Sequence, residues 1–171
     1  MNNINTQYAF FEINFTDLLI IAKYSYLINI LRRSIFMLKN SCINPEIIST
    51  LSFCGHGDKI LIVDGNYPLA SKSGNAKKVY LGVSKGLPTI TDVLKALTGS
   101  VNFEAAEVMM PEDGSTTEIM EEVKTLLPKV KISSCSRLKF YENACDDSIR
   151  LAISTGVQRF YGCIILTVFV A

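Results

Sequence analysis

Gly55-His56-Gly57-Asp58-Lys59-Ile60-Leu61-Ile62-Val63-Asp64-Gly65-Asn66-Tyr67-Pro68 runs from one turn, through a strand, into a second turn. Its middle, Lys59–Val63, is a continuous apolar run rich in β-branched residues, the pattern of a strand buried on both faces. Asp64-Gly65-Asn66-Tyr67-Pro68 then breaks it. A strand covered on both faces calls for helices on either side of its sheet, and the flanking sequence supplies them.

Upstream, Asn44-Pro45-Glu46 predicts a helix start, with an N-cap and a proline at the first position. Ile47, Ile48, Leu51 and Phe53 form its expected buried side, and Gly55 its stop. Downstream, a polar loop through Asn75 leads to a short strand near Val79–Leu81. Pro88 opens a helix with Thr89 and Asp92 spaced as a capping box. Glu104–Met110 reads as a strand. Ser115 and Glu118 have the same capping-box spacing and predict a helix to about Leu127, ended by Pro128. Val130–Ser134 predicts a strand, Phe140–Asp146 a short helix, and Leu151–Ser154 and Gly162–Val170 two last strands. Alternating helices and apolar strands give an α/β layered sheet with helices on both faces.

Residues 1–36 differ from the rest and are read as an N-terminal extension, or as sequence upstream of the true start at Met37; residues 37–171 form the domain. Spanning a bilayer takes about 20 mostly apolar residues, and Asp17, Lys23 and Asn29 interrupt this segment. Its basic pair, Arg32 and Arg33, follows the apolar run, the reverse of a secretory signal. No membrane partner is expected.

Apolar residues make up 49% of the 171 and charged ones 19%, with a net charge of +1. Mean hydropathy is +0.27, high for a soluble monomer, so apolar surface is expected between subunits. Scattered Lys and Arg leave no nucleic-acid footprint. The five cysteines form no C-x-x-C pair, which argues against a disulfide framework or structural zinc and for a reducing cytoplasm. His56 is the one histidine, so any imidazole chemistry passes through it.

Two glycines around His56 leave its ring unscreened; the plainer reading is a helix cap ahead of a strand. Asp64 stands at the carboxyl end of the strand that follows, where ligands of open α/β sheets collect; the plainer reading is a turn residue. In line with the strand, His56 and Asp64 lie about 25 Å apart. One site uses both only if the loop folds back or a neighbouring subunit contributes. Gly82-Val83-Ser84-Lys85-Gly86 fits G-x-S-x-G, but no histidine follows Ser84, so the hydrolase reading fails. No dinucleotide or P-loop motif occurs. Arg137-x-x-Phe140-Tyr141-Glu142 and Arg159-Phe160-Tyr161-Gly162 each join a cation to a phenol, groups suited to polyhydroxylated ligands; a surface or interface role is the alternative for each.

These motifs resemble the L-fucose mutarotase / D-ribose pyranase family, the RbsD/FucU group. Met37-Leu38-Lys39-Asn40, Asn44-Pro45-Glu46 and Gly55–Ile60 are similar to the family's start, and Asp64–Pro68 to its Asp-[Ala/Gly]-Asn-[Phe/Tyr]-Pro loop. Arg137–Glu142 is similar to its Arg-Phe-x-Phe-Tyr-Glu segment, and Thr155-Gly156 with Tyr161-Gly162 to its ending. The Phe-Tyr-Glu segment favours the fucose branch; Val101–Ala106 looks closer to the ribose branch.

The resemblance implies a three-layer α/β/α domain with a mixed central sheet, assembled into rings, commonly decamers, with sites at subunit interfaces. It implies a cofactor-independent isomerase exchanging the anomers of a monosaccharide, with no metal. His56 falls on the family's proton donor and Asp64 on its sugar-binding acid. Arg137, Tyr141 and Tyr161 fall on its other sugar contacts. Cys163 stands where the family has an asparagine, and Thr167–Ala171 replaces its Lys-Lys-Gly-Val ending. D-ribose pyranase is the alternative activity, and a non-catalytic sugar-binding subunit accompanying uptake is the alternative from another class.

Overall fold

The computed structural model describes Tyr24 and residues 38–170, and the unit Asn40–Ala171 carries every element below. The extension read over residues 1–36 lies outside the described residues, apart from Tyr24. Among the described residues no helix is long and apolar enough to cross a membrane.

Residues 40–170 hold four helices and six strands: α1 (Pro45–Leu51), β1 (Lys59–Val63), β2 (Lys77–Tyr80), α2 (Ile90–Thr98), β3 (Phe103–Met110), α3 (Glu118–Leu126), β4 (Lys131–Ser136), α4 (Arg137–Asn143), β5 (Ile149–Ser154) and β6 (Ile164–Val168). The strands form one sheet in the order β2-β5-β1-β6-β3-β4. β1, β2 and β5 run parallel, as do β3 and β4. β6 is antiparallel to both its neighbours, β1 and β3, so β1 and β3 point the same way. The sheet is therefore mixed, as the resemblance implies.

Strand alternation assigns the two faces. Ile60 and Ile62 of β1 pack with Ile164 and Leu166 of β6 beneath Ile47 of α1, Val93 and Leu97 of α2, and Val123 of α3. Leu61 and Val63 face the other way, under Phe140 of α4 and the Tyr67–Ala76 segment. Fully burying a side chain such as Phe140 stabilises by about 1.5–3 kcal/mol.

Local chemistry sets most element ends. Asn44 caps α1, its side chain accepting from the amides of Glu46 and Ile47 at 3.0 and 3.1 Å; such a cap is worth about 1 kcal/mol. Thr89 and Asp92 form the reciprocal capping box that opens α2. At three places the structure differs from the sequence reading. α1 ends at Leu51 with Ser52 as its cap, so helical periodicity no longer governs Phe53, which is 80% exposed. Ser115 does not cap α3. Its amide donates to Asp113 Oδ1 in a turn closed by Pro111 and Gly114, and the helix starts after Thr117. α4 begins at Arg137, directly after β4, three residues earlier than expected. All five cysteines are free.

Candidate functional site

The sheet has two chemically distinct edges, one running along the strand ends where the central β1 finishes and one where it starts. At the carboxyl end of β1, Asp64 is only 4% exposed. It is fixed there because Val63 is pinned: its carbonyl accepts from both the amide and the hydroxyl of buried Thr155, at 3.0 and 2.9 Å. Gly156 then passes against the carbonyls of Leu87 and Ser84, leaving no room for a Cβ. Asp64 Oδ1 accepts from the Asn66 amide at 2.8 Å, and Oδ2 accepts from the Cys163 thiol at 3.3 Å. Burial pushes the Asp64 carboxyl above its usual range; the amides of Asn66, Tyr67 and Gly162 and the Cys163 thiol pull it part of the way back. Burial also raises the Cys163 thiol, with the Asp64 charge adding to it, so sulfur is the proton donor of the pair.

Around this carboxylate the topology gathers most of the residues that the sequence singled out. Tyr161 and Cys163 precede β6, whose amino end lies beside the carboxyl end of β1. Half-buried Tyr161 packs against the same apolar cluster as Cys163. Tyr141, one helical turn into α4, stands edge-on to Tyr67 with ring centroids 5.3 Å apart. Tyr67 donates its hydroxyl to the Lys72 carbonyl at 2.6 Å. Arg137 opens α4 at the carboxyl end of β4, exposed to solvent. No described carboxylate pairs with it. It lies three strands across the sheet from Asp64, about 14 Å at the usual strand spacing. Arg159 is different: its fork is spent on Glu118 and Glu122. Ser84 sits in an exposed loop bridged to Leu87, away from any strand-to-helix elbow.

His56 is at the opposite edge. Gly57, with φ +85, allows the turn, and its amide donates to the Val168 carbonyl at 3.0 Å, tying the loop to the end of β6. The His56 side chain is 57% exposed, with Nε2 3.3 Å from Glu104 Oε2 and its ring edge-on to Phe169. Glu104 faces the imidazole from the start of β3, 48 residues away in sequence. No local signal marks it, because the contact exists only through the placing of β1 and β3 on either side of β6. A single chain thus brings five of the six residues to one edge and leaves the histidine at the other.

A hollow of about 860 Å³ lies near Phe53, Lys77, Asp147 and Arg150 and contains none of the six. It is open and lacks a buried polar group, whereas the Asp64 edge has a buried acid with directed donors. The Asp64 edge is therefore the candidate site.

Residues 37–171 match the profile of the RbsD / FucU transport protein family. A D-ribose pyranase of Clostridium tetani is 28% identical over 130 residues, which cover 76% of this chain and 95% of that protein. Bacillus subtilis RbsD, solved with D-ribose, superposes with a TM-score of 0.70 at 24% identity, covering 79% of this chain and 99% of that one; that likeness is one of fold. The fucose mutarotase of Streptococcus pneumoniae, solved with L-fucose, gives a TM-score of 0.64 at 25% identity, over 75% of this chain and 94% of its own.

Proposed function

Since the chain belongs to the RbsD / FucU transport protein family, we propose that it is a monosaccharide mutarotase acting on a sugar of the fucose or ribose class at a site shared between two copies. The placement of His56 and Asp64 at opposite ends of β1 carries this reading. Both ends carry exposed apolar residues. Phe53, Phe169 and Val170 stand at the His56 edge, and Val83, Leu87, Leu138 and Phe160 at the Asp64 edge. Two unlike surfaces on one chain favour head-to-tail association, which closes into a ring when the rotation permits. His56 of one copy then meets Asp64, Tyr141, Tyr161 and Arg137 of the next. The domain begins near Met37, and a reducing cytoplasm is the proposed location.

The reaction opens a cyclic hemiacetal. A base takes the proton of the anomeric hydroxyl, the bond from C1 to the ring oxygen breaks, and an acid protonates that oxygen. Rotation about C1–C2 presents the other aldehyde face, and the reverse transfers reclose the ring. Nothing is oxidised and no group leaves, so proton donors and acceptors suffice. His56 is the proposed proton donor. Asp64 accepts sugar hydroxyls, and the two tyrosines and Arg137 orient them. One acid–base group supplies about 10²–10⁴-fold, which suits a reaction that already proceeds in water. The Arg137–Glu142 segment makes L-fucose the first sugar to try, and the pyranases among the relatives support testing D-ribose alongside it.

Exchange NMR on both sugars tests the activity, and subunit mixing tests the shared site. His56→Ala and Asp64→Asn chains are each expected to be inactive. Rings reassembled from equal amounts should regain about a quarter of parental activity, because head-to-tail pairing restores that share of sites. Parental protein that does not accelerate exchange of either sugar overturns the function. Mixed rings that stay inactive overturn the shared site.

A further inference from the structure

Arg159 lies in the segment that joins β5 to β6, and its surroundings give it a task other than holding ligand. Nη1 lies 2.8 Å from Glu118 Oε2 and 2.7 Å from Glu122 Oε1, and Nη2 lies 2.8 Å from Glu122 Oε2. Thr91 of α2 donates its hydroxyl to the same Glu122, so the acid is itself held from a second helix. Both terminal nitrogens of a planar fork engaged by two acids make a directed attachment, here with Nε buried and without a partner among the described residues. Two residues further on, Tyr161 has φ +57, a left-handed conformation that a bulky side chain keeps only where its surroundings impose it. The other end of the segment is tied as well: the Gly65 amide donates to the Val157 carbonyl at 2.6 Å, and Asn66 Nδ2 donates to the Gln158 carbonyl at 3.2 Å. Gly162 lies close against Ile90 and Asp64. The segment therefore has one anchor on the Asp64 turn and another on α3, backed by Thr91 of α2, and Tyr161 lies two residues after the second.

We propose that Arg159 is a positioning residue, whose fork on Glu118 and Glu122 holds the segment so that Tyr161 stays left-handed and presents its phenol at the Asp64 edge. The proposal rests on the mutarotase reading above. It gives α2 and α3, which contribute no residue to the site, a part in sugar recognition. Lysine in place of Arg159 keeps the charge and loses the two-pronged contact.

The test is a double-mutant cycle on the full-length protein, with a spectroscopic readout that needs no activity. Arg159→Met and Glu122→Gln should each lower kcat/KM for anomer exchange by about 10- to 100-fold, the scale of a small misplacement of a substrate contact. Arg159→Lys should recover only part of the loss. In a Tyr161→Phe background, Arg159→Met should change the rate by no more than about 2-fold, because a residue acting through Tyr161 has nothing left to position. In protein labelled with 3-fluorotyrosine, the ¹⁹F line that disappears in Tyr161→Phe should shift or split in Arg159→Met. Additive losses in the cycle, or an unchanged Tyr161 line, overturn the proposal. If the parent does not exchange anomers, the functional reading fails while the fluorine line still decides the clamp. If Arg159→Met does not fold, Glu122→Gln carries both measurements.

Discussion

Cys163 places its thiol 3.3 Å from Oδ2 of Asp64, 99 residues earlier in the chain, and both side chains are buried. The position where the family resemblance puts an asparagine thus supplies a weak donor to a carboxylate that burial has already made less acidic. An asparagine there offers Nδ2 to Asp64 and keeps its oxygen for ligand. Cys163→Asn is expected to tighten sugar binding by about 2- to 12-fold, the equivalent of one net hydrogen bond. Calorimetric titration of fucose and ribose into both proteins, with a melting curve for each, is the check. Unchanged affinity at unchanged stability means that position 163 does not face the ligand.

His56 has no substitute, because it is the one histidine of the chain. His56→Ala should lose about 10²–10⁴-fold in exchange rate with its oligomer intact by native mass spectrometry. Activity within about 2-fold of the parent removes His56 from the mechanism. Glu104→Gln, which takes away the exposed acid beside the ring, should cost only about 2- to 5-fold, in keeping with a solvent-screened pair.

Two carboxylates should respond to pH with opposite sign. Glu122 is held below its usual range by hydrogen bonds from Arg159, with Thr91 and Lys95 assisting against partial burial. Its folded form is the stronger acid, so its stabilisation is complete above the unfolded value and is lost as pH falls through the folded one. The melting-temperature gap between parent and Glu122→Gln should therefore be steady near neutrality and close below about pH 4. Asp64 is shifted upward by burial, so its folded form is the weaker acid. Its charge costs stability at neutral pH, and the cost is relieved as pH falls through the raised value. The parent should then gain on Asp64→Asn upon mild acidification. A gap that moves the same way for both variants contradicts these assignments.

A chain starting at Met37 should fold and associate like the full-length protein, since the family match begins there. Native mass spectrometry and a melting curve compare the two. An insoluble or monomeric product makes the extension part of the fold.

The α/β class was legible in the sequence, and so were most elements, because their signals are local. Asn44 caps with its own neighbours, Thr89 and Asp92 are three residues apart, and Lys59–Val63 declares a buried strand through its composition alone. Phe53 and Ser115 were misplaced for a related reason: a helix end is settled by one or two turn hydrogen bonds, which periodicity does not encode. The residue types of the site were visible as short motifs, with Asp64, Tyr161 and Cys163 each beside a glycine or a strand end. Their arrangement was not. Only the strand order β2-β5-β1-β6-β3-β4 and the reversed direction of β6 bring Cys163 to Asp64, set Glu104 against His56, and leave that histidine at the far edge. Arg159, in sequence a cation beside a phenol suited to sugar or to a surface role, is bound instead by Glu118 and Glu122 of α3. Strand pairing and helix docking join residues 30 to 100 positions apart. Such contacts are selected by burial of the whole sheet rather than by any neighbour in the chain.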